Sequence, residues 1–395
     1  MISKNKKVLV VFGTRPEAIK LAPVIKALEK TSNINVLTCV LRQQKKLLDD
    51  PLAVFNIKPD FDINLPFGNS GLLSRGAHIF KKTWSGIQVG FGILRFLGIL
   101  KNKKPDLVVV QGDTSTVFIV AFIAFHFKIP VAHVEAGLRS GNKYSPFPEE
   151  INRKLTCSIA DLHFASTESA KRNLLKENID ENKIWVTGNT VIDALRLVTE
   201  SYENDVAKKR LFMFFKEKYG VTLNKPNQKF ILVTAHRRES FGEGMKNIME
   251  AIEELASRLP HITFVYPVHP NPNVREIVFL KLKNVENVIL TEPLGYKLFS
   301  FLMANSYLIL TDSGGIQEEV SFIGKPTLVM REITERPEGV SFGNTLLVGT
   351  DKNRIMGEVL RLLENKEIYE TMSKKHSAFG DGHAAERIAE VISRL

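Results

Sequence analysis

The sequence predicts an α/β protein built from two Rossmann-like, doubly wound domains that face each other across a cleft. Short apolar runs recur along the 395-residue chain, and each is followed by turn residues and then by a helical pattern. The runs are apolar almost throughout rather than alternating, which is typical of parallel strands covered by helices on both faces. Their number is too high for one open sheet, so we expect two sheets.

Each predicted strand is an apolar run that ends in polar or glycine-containing turn residues. Six strands are predicted in the first domain, at 8–12, 35–40, 107–110, 131–134, 162–165 and 184–186. Five are predicted in the second, at 230–233, 263–268, 288–290, 307–310 and 326–329. In doubly wound sheets, ligands bind beyond the carboxyl ends of the strands, so the residues that follow each run are the candidates for function.

The domain boundary is placed by a change in composition. The segment 202–229 is highly charged and leads into a fresh apolar strand. We therefore expect an N-terminal domain over 1–186 and a C-terminal domain over 187–374. The last helix, within about 375–395, is expected to pack back on the first domain.

The chain is basic, with 54 Lys and Arg against 43 Asp and Glu and a net charge of +11. Such a balance suits nucleic acid, membrane surfaces or anionic small molecules. The sequence has no nucleic-acid-binding motif and no long basic run with interleaved aromatic residues, so phosphate-bearing small molecules are favoured.

Cys39 and Cys157 form no disulfide framework, which predicts buried thiols and a cytoplasmic protein. The first apolar run is too short for a signal peptide.

One helical stretch, from Trp84 to Leu100, is apolar nearly all round and leads into a basic cluster. It is shorter than a membrane-spanning helix usually needs to be, and it contains Arg95. A buried or subunit-interface helix is the favoured interpretation. A peripheral contact with a membrane surface is the alternative, because such helices combine apolar and basic residues.

Candidate catalytic residues follow strands of the first domain. Asp113 and Glu135 come just past the third and fourth strands, and Glu149 follows in the segment SPFPEEINR. Each carboxylate taken alone is better explained as a helix cap or a first-turn acid. Three carboxylates at one edge of a sheet instead favour a site. Arg15 and Lys20 belong to the turn and helix after the first strand.

The second domain supplies positive charge and glycine. His236 lies in the turn after its first strand, and His269 follows the second. Glu319 stands near the start of a later helix, where it can accept from ribose hydroxyls or simply complement the helix dipole. Arg336 lies in a further loop. The residues that open that later helix let backbone N–H groups approach a phosphate; they are Ser313, Gly314 and Gly315.

Motifs that would indicate other chemistries are missing. A dinucleotide would call for G-x-G-x-x-G and a later acidic residue in the same domain, and neither is present. No P-loop and no H-E-x-x-H or C-x-x-C metal set occurs. We therefore expect a nucleotide diphosphate between the domains beside a carboxylate-rich pocket, without cofactor or metal.

Eight motifs occur in one order: FGTRPEAIK, GDTSTV, HVEAGLRSG, SPFPEEINR, TGNTVIDAL, HRRESFGEG, DSGGIQEE and TERPEG. From about residue 7 to about residue 390 the sequence resembles the bacterial non-hydrolysing UDP-N-acetylglucosamine 2-epimerases. The resemblance implies the GT-B architecture, a homodimer, and interconversion of UDP-N-acetylglucosamine and UDP-N-acetylmannosamine for surface polysaccharides such as capsule. It also implies a mechanism in which UDP leaves C1, a carboxylate removes the C2 proton to give a glycal, and UDP adds back.

The resemblance further implies roles for single residues. Asp113, Glu135 and Glu149 become the candidate acid, base and oxocarbenium-stabilising carboxylates, and His236 lies nearest the diphosphate. The remaining residues hold parts of the substrate: Arg15 and Lys20 the diphosphate or sugar, Phe299 the uracil, Ser313, Gly314 and Gly315 the phosphate, Glu319 the ribose, and Arg336 the substrate site.

Several positions depart from the family's pattern. A common Gln-His pair is Gln43-Gln44 here, and an arginine is replaced by His78. With the loop of His269, these positions form the site where bacterial members bind a second, activating substrate molecule. We therefore expect this allosteric site to be altered. A glutamine before the uracil-contacting segment is Leu294, so base contacts are also expected to differ.

Three alternatives to a non-hydrolysing epimerase stay open. One is a hydrolysing relative that releases N-acetylmannosamine and UDP. Another is a GT-B glycosyltransferase, which needs an acceptor. The last is a catalytically silent UDP-sugar-binding protein, against which the retention of Asp113, Glu135, Glu149 and His236 argues.

Overall fold

Two compact units make up the chain. The computed structural model describes residues 5–43, 47–65, 79–225, 228–334 and 336–395, with the backbone alone at 79–88, 238 and 337. Unit 1 comprises the chain up to Ala194 together with Gly380–Leu395, and unit 2 comprises Leu195–Phe379.

Unit 1 is built on one parallel sheet of seven strands. The strands are β1 (Lys6–Phe12), β2 (Ile34–Leu41), β3 (Phe61–Ile63), β4 (Leu107–Gln111), β5 (Val131–Ala136), β6 (Leu162–Ala165) and β7 (Ile184–Val186). The helices are α1 (Arg15–Glu29), α2 (Asp49–Val54), α3 (Ile79–Lys103), α4 (Ser115–His126), α5 (Glu149–Ile159), α6 (Glu168–Lys176) and α7 (Thr190–Glu200), the last of which contains the passage to unit 2. The spatial order is β3-β2-β1-β4-β5-β6-β7.

Unit 2 is built on a parallel sheet of six strands. The strands are β8 (Phe230–Thr234), β9 (Thr263–Pro267), β10 (Val288–Thr291), β11 (Leu308–Thr311), β12 (Thr327–Val329) and β13 (Thr345–Leu347). The helices are α8 (Asp205–Tyr219), α9 (Glu243–Arg258), α10 (Pro272–Leu282), α11 (Tyr296–Asn305), α12 (Gly314–Ile323), α13 (Pro337–Ser341), α14 (Lys352–Glu364) and α15 (Lys366–Met372). The spatial order is β10-β9-β8-β11-β12-β13.

Both sheets therefore follow the doubly wound order, and the predicted fold class is confirmed. The strand order reverses between β1 and β4 in unit 1, and between β8 and β11 in unit 2. Such a switch point opens a crevice at the carboxyl ends of the two central strands, because their connections leave in opposite directions. All eleven predicted strands are present. Two further strands, β3 and β13, lie at sheet edges and are three residues long.

The central strands are buried because helices cover both faces of each sheet. In β1 the residues from Val8 to Phe12 are almost fully buried, as their uninterrupted apolar run predicts. Cys39 and Cys157 are buried free thiols, also as predicted.

The C-terminal helix, α16 (Ala384–Arg394), belongs to unit 1 and packs against α1. Its end is tied by Lys6 Nζ, which donates to the carbonyl of Ile392 at 3.1 Å. Its start is tied by Asp193, whose Oδ1 accepts from the backbone N–H of Ala385 at 2.8 Å. The polar bonds at both ends and the buried apolar face between them fix the helix on this unit.

Helix α3 contains the apolar stretch and extends it at both ends. Its side chains Phe96 and Leu100 are buried in the core under the sheet. Phe91 and Leu94 instead point outward and are 65% and 62% exposed. Among the described residues, no helix combines the length and the apolar character that crossing a bilayer requires.

Candidate functional site

In unit 1 the turn after β1 lies at the switch point and is held by a buried glutamate. Glu17 accepts from the backbone N–H of Gly13 at 2.6 Å and from Thr114 Oγ1 at 2.7 Å. It thereby links the turns that follow β1 and β4. Burial raises the pKa of Glu17, although these hydrogen bonds oppose the shift. A side chain at position 13 would meet the carbonyl of Leu41 at 2.6 Å, so glycine is required there.

Glu135 is held in an unusual backbone conformation within β5. Its φ is 65°, in the left-handed region, and the pairing with β6 shifts register between Val134 and Ala136. Such a bulge turns a side chain away from the alternation of the strand. The two carboxylate oxygens accept hydrogen bonds from Lys20 Nζ at 2.7 and 2.6 Å. One of them also accepts from Gln111 Nε2. The structure thus brings together two predicted site residues.

Asp113 follows β4 and is held by helix α5. Its Oδ2 accepts from Arg153 Nε at 2.9 Å and lies 2.7 Å from Arg153 Nη2. Its backbone carbonyl accepts from Asn152 Nδ2 at 2.9 Å. The carboxylate stays about one quarter exposed, at 28%, so it remains accessible to a ligand.

The two glutamates that open α5 differ in their surroundings. Glu150 is buried and accepts from the backbone N–H groups of Ser140 and Gly141, and from Arg153. It therefore holds the preceding loop. Glu149, the predicted catalytic residue, is half-buried at the start of the helix.

Arg15, at the start of α1, lies 3.7 Å from Asp50.

In unit 2 a buried aspartate organises the turn after β8. Asp312 is fully buried just past β11, and its Oδ2 accepts from the backbone N–H groups of His236 and Arg237 at 2.6 and 2.7 Å. Its Oδ1 lies 3.5 Å from His236 Nδ1. The imidazole of His236 stacks on that of His269, with centroids 5.0 Å apart. Burial lowers the pKa of both histidines, although Asp312 opposes the shift.

The start of α12 has the geometry of an anion site. Ser313 is the N-cap residue and makes no side-chain capping bond, so the first helical N–H groups depend on other partners. A methyl group at Gly315 would meet no described atom within 4 Å. One at Gly314 would lie 3.6 Å from Arg237 Nη2. Open space beside Gly315, a helix start without a side-chain cap and a guanidinium thus adjoin the switch point of unit 2.

Glu319 belongs to α12, and Arg336 contacts the same helix. Glu319 is buried, and its Oε1 accepts from Tyr296 Oη at 2.8 Å. Arg336 is paired through Nε with the buried carboxylate of Glu318. Phe299, predicted to contact uracil, is half-buried on α11.

The predicted allosteric residues are only partly described. Gln43 lies just past β2, where its Oε1 accepts from Thr116 Oγ1 at 2.9 Å. Gln44 and His78 lie outside the described residues. His269 stacks on the candidate catalytic residue His236, so a substitution of either ring changes the packing of the other.

Sequence analysis missed several residues that hold the site, among them Gln111, Arg153 and Asp312. Arg153 carried a usable signal, because it lies one helical turn after Glu149 and Glu150 in the motif SPFPEEINR. Asp312 opens the motif DSGGIQEE, but its partners follow β8, and only the pairing of β8 with β11 brings them beside it.

Comparisons with known proteins show which family the chain resembles over its length. A model of the UDP-N-acetylglucosamine 2-epimerase family matches residues 26–393. The chain is 47% identical to the UDP-N-acetylglucosamine 2-epimerase of Salmonella typhimurium over 392 residues, which is 98% of each chain. It is similar to the solved UDP-GlcNAc 2-epimerase from Neisseria meningitidis bound to UDP-GlcNAc, with 44% identity, a TM-score of 0.86, and coverage of 98% of this chain and 100% of that one. The enzyme from Methanocaldococcus jannaschii, in complex with UDP-GlcNAc and UDP, is 36% identical with a TM-score of 0.78 and the same coverage. The chain therefore belongs to the UDP-N-acetylglucosamine 2-epimerase family.

Proposed function

We propose that this protein is a non-hydrolysing UDP-N-acetylglucosamine 2-epimerase, which interconverts UDP-N-acetylglucosamine and UDP-N-acetylmannosamine. Family membership supports the nucleotide sugar as substrate. The observation that carries the proposal is Glu135, a carboxylate in left-handed backbone that Lys20 and Gln111 hold at the edge of a switch point. Strained and tightly held carboxylates of this kind are typical of catalytic positions.

The diphosphate is proposed to bind at the start of α12. Backbone N–H groups of Gly314 and Gly315, the positive end of the helix and Arg237 would together neutralise its charge. His236, held through its backbone by Asp312, would donate to a phosphate oxygen as the bond to the sugar breaks. Charge stabilisation on the departing UDP lowers the barrier to the first step.

The chemistry is proposed as elimination followed by addition. The C1–O bond breaks and its electron pair leaves with UDP, while a carboxylate takes the proton from C2 and a C1–C2 double bond forms. UDP then adds back to C1 as a proton is delivered to the opposite face of C2, so no water is consumed. Glu135, Asp113 and Glu149 are the proposed acid, base and C1-stabilising groups. Coupled carboxylates of this kind do not titrate one at a time.

Product analysis tests this proposal. Purified protein is incubated with UDP-N-acetylglucosamine, and the products are separated by anion-exchange chromatography and identified by ¹H NMR. We expect a stable mixture of the two UDP-sugars. Release of UDP together with free N-acetylmannosamine would instead identify a hydrolysing enzyme. No reaction without an added sugar acceptor would favour a glycosyltransferase.

We also propose that unit 1 supplies a homodimer surface. Helices α3 and α4 share one core and leave large apolar side chains outside it; these are Phe91, Leu94, Phe122 and Phe125. Analytical ultracentrifugation should show a dimer that Phe125→Glu dissociates, whereas Met213→Glu, at an exposed position of α8, leaves it intact. A monomeric wild type that co-sediments with anionic vesicles would favour the membrane alternative.

The substitutions at Gln44 and His78 lead to a proposal about regulation. Because the family resemblance leads us to expect other residues at both positions of an activating site, we propose that the rate depends hyperbolically on substrate concentration. A strongly sigmoidal curve of initial rate against UDP-N-acetylglucosamine would contradict it.

A further inference from the structure

A buried polar cluster lies beneath the turn that carries Asp113. It consists of His133 on β5, Cys157 on α5, His163 on β6 and Arg139 in the loop after β5. His133, Cys157 and His163 are each about 99% buried, at 1% exposed. None of the four takes part in the proposed chemistry. We call them the His133 cluster.

The imidazole of His133 is bonded directly to the turn. Its Nε2 lies 2.7 Å from the carbonyl oxygen of Gly112, the residue before Asp113. A carbonyl can only accept, so Nε2 must carry a hydrogen and donate it. Gly112 has a φ of 86°, a conformation that favours glycine, and its own N–H donates to the carbonyl of Val134 at 3.1 Å. His133 thus holds the carbonyl side of this turn.

The opposite nitrogen of the same ring meets a thiol. Cys157 Sγ lies 3.6 Å from His133 Nδ1, and it also contacts His163 and Arg139. Burial alone would raise the pKa of Cys157, but these three neighbours outweigh it and hold its pKa well below the usual value. Burial lowers the pKa of His133, but the interaction with Cys157 outweighs this effect, so the pKa of His133 is raised. The sulfur therefore engages Nδ1 and leaves Nε2 as the nitrogen that faces Gly112.

The cluster is anchored firmly. Arg139 makes a two-bond ion pair with Glu177, through Nε at 2.8 Å and Nη2 at 2.7 Å. Among the described residues, no group of three His, Cys, Asp or Glu side chains could hold a metal ion.

We propose that His133 is a positioning residue for the Gly112–Asp113 turn, and that Cys157 holds its ring with Nε2 donating to Gly112. The inference rests on the proposed epimerase function, since it assigns Asp113 to the reaction. Asn152 and Arg153 hold the same turn from the other side, through the Asp113 carbonyl and carboxylate. Losing His133 would release one side only, so the carboxylate would shift while its ion pair persists.

Two substitutions of His133 separate positioning from folding. His133→Gln keeps an amide donor for Gly112 and a second polar atom that can face Cys157, whereas His133→Leu keeps neither. We expect His133→Leu to lower kcat roughly 10- to 100-fold with little change in KM, because a misplacement of about 1 Å can cost about 100-fold. His133→Gln should restore kcat to within about threefold of wild type. UDP binding to both, measured by calorimetry, should match wild type because unit 2 is untouched.

A core variant and a cysteine variant complete the test. Val120→Ala, in the core of the same unit, should lower stability while leaving kcat unchanged. Cys157→Ala should lower kcat by less than His133→Leu, since the ring stays but can rotate. The proposal is overturned if His133→Leu keeps wild-type kcat, if His133→Gln is no better than His133→Leu, or if Val120→Ala loses kcat equally. An inactive wild type would refute the proposed function itself, which keeps the two failures distinct.

Discussion

Glu135 combines burial, charge and left-handed backbone in one residue. A non-glycine residue at a φ of 65° costs about 1–3 kcal/mol and persists only where its surroundings over-determine it. Lys20 and Gln111 supply that constraint from α1, the helix after β1, and from β4; β1 and β4 are the strands that flank the switch point. The cost is explained if the bulge exists to aim a carboxylate at the substrate.

Substitution of Glu135 by Gln is therefore expected to remove activity and spare binding. We expect turnover to fall by about 100- to 10,000-fold, the range typical for loss of a general acid or base. UDP affinity should stay near wild type, because the proposed diphosphate site is in unit 2. Conversion is followed by ¹H NMR and affinity by calorimetry. Glu181→Gln, at an exposed carboxylate paired with Lys171 in unit 1, is the matched control and should be fully active.

The histidine pair of unit 2 predicts a pH dependence of stability. Burial lowers the folded-state pKa of His236 and His269 below the unfolded value of about 6.5. Below that value the unfolded chain binds more protons, so the free energy of unfolding should fall as the pH drops from about 6.5 through the folded pKa values. Urea unfolding midpoints at about pH 7.5 and pH 5.5 measure this. His236→Asn should reduce the difference between the two midpoints, and an unchanged difference would show that His236 does not contribute.

Individual residues show where sequence patterns stop being informative. Asp113, Glu135 and His236 were identified from motifs because each follows an apolar run. Asp312 was not, since its role depends on β8 and β11 lying side by side, which is a property of the fold. The bulge at Glu135 was equally hidden, because the pattern of β5 reads as an ordinary buried strand.

Among single elements, α12 contains a glycine whose effects on stability and on ligand binding can be measured separately. Gly315 lies in the first turn of this helix, where alanine would be conformationally better by about 1 kcal/mol. Nothing described lies within 4 Å of a methyl group there. The glycine therefore has no packing reason, and we attribute it to the approach of a phosphate to the backbone.

Gly315→Ala is accordingly expected to keep or raise stability while weakening UDP binding about tenfold, which corresponds to about 1.4 kcal/mol. Gly357→Ala is the matched control: it is also a helical glycine of unit 2 with open space around it, in α14. It should raise stability similarly and leave UDP affinity unchanged. Thermal melts measure stability and calorimetry measures UDP affinity. Equal UDP affinity in the two variants would show that no phosphate binds at the start of α12.

The elements themselves were largely predictable, with informative exceptions. Long apolar runs identified the central strands, but β3 and β13 are three-residue edge strands with polar residues among them. Such strands take their conformation from pairing with a neighbour rather than from their own pattern. The C-terminal segment was predicted to return to the first domain, and α16 lies in unit 1 against α1.

For the whole molecule, the two sheets repeat one strand order and carry complementary chemistry. Unit 1 places carboxylates at its switch point, and unit 2 places a helix start, a guanidinium and a histidine at its own. A net charge of +11 favours the approach of an anionic substrate over long distances. We propose sugar chemistry on one unit and diphosphate binding on the other, with the C2 proton lost and regained in each interconversion.

Incubation with UDP-N-acetylglucosamine in D₂O tests whether the C2 proton is lost and regained. Proton removal and return at C2 predict that both UDP-sugars acquire deuterium at C2 as they interconvert, seen in ¹H NMR as loss of the C2 proton signal while the anomeric signal remains. Unreacted substrate without enzyme serves as the control. Interconversion with the C2 proton retained would rule out proton removal at C2, and release of free N-acetylmannosamine in proportion to UDP would show hydrolysis instead of epimerisation.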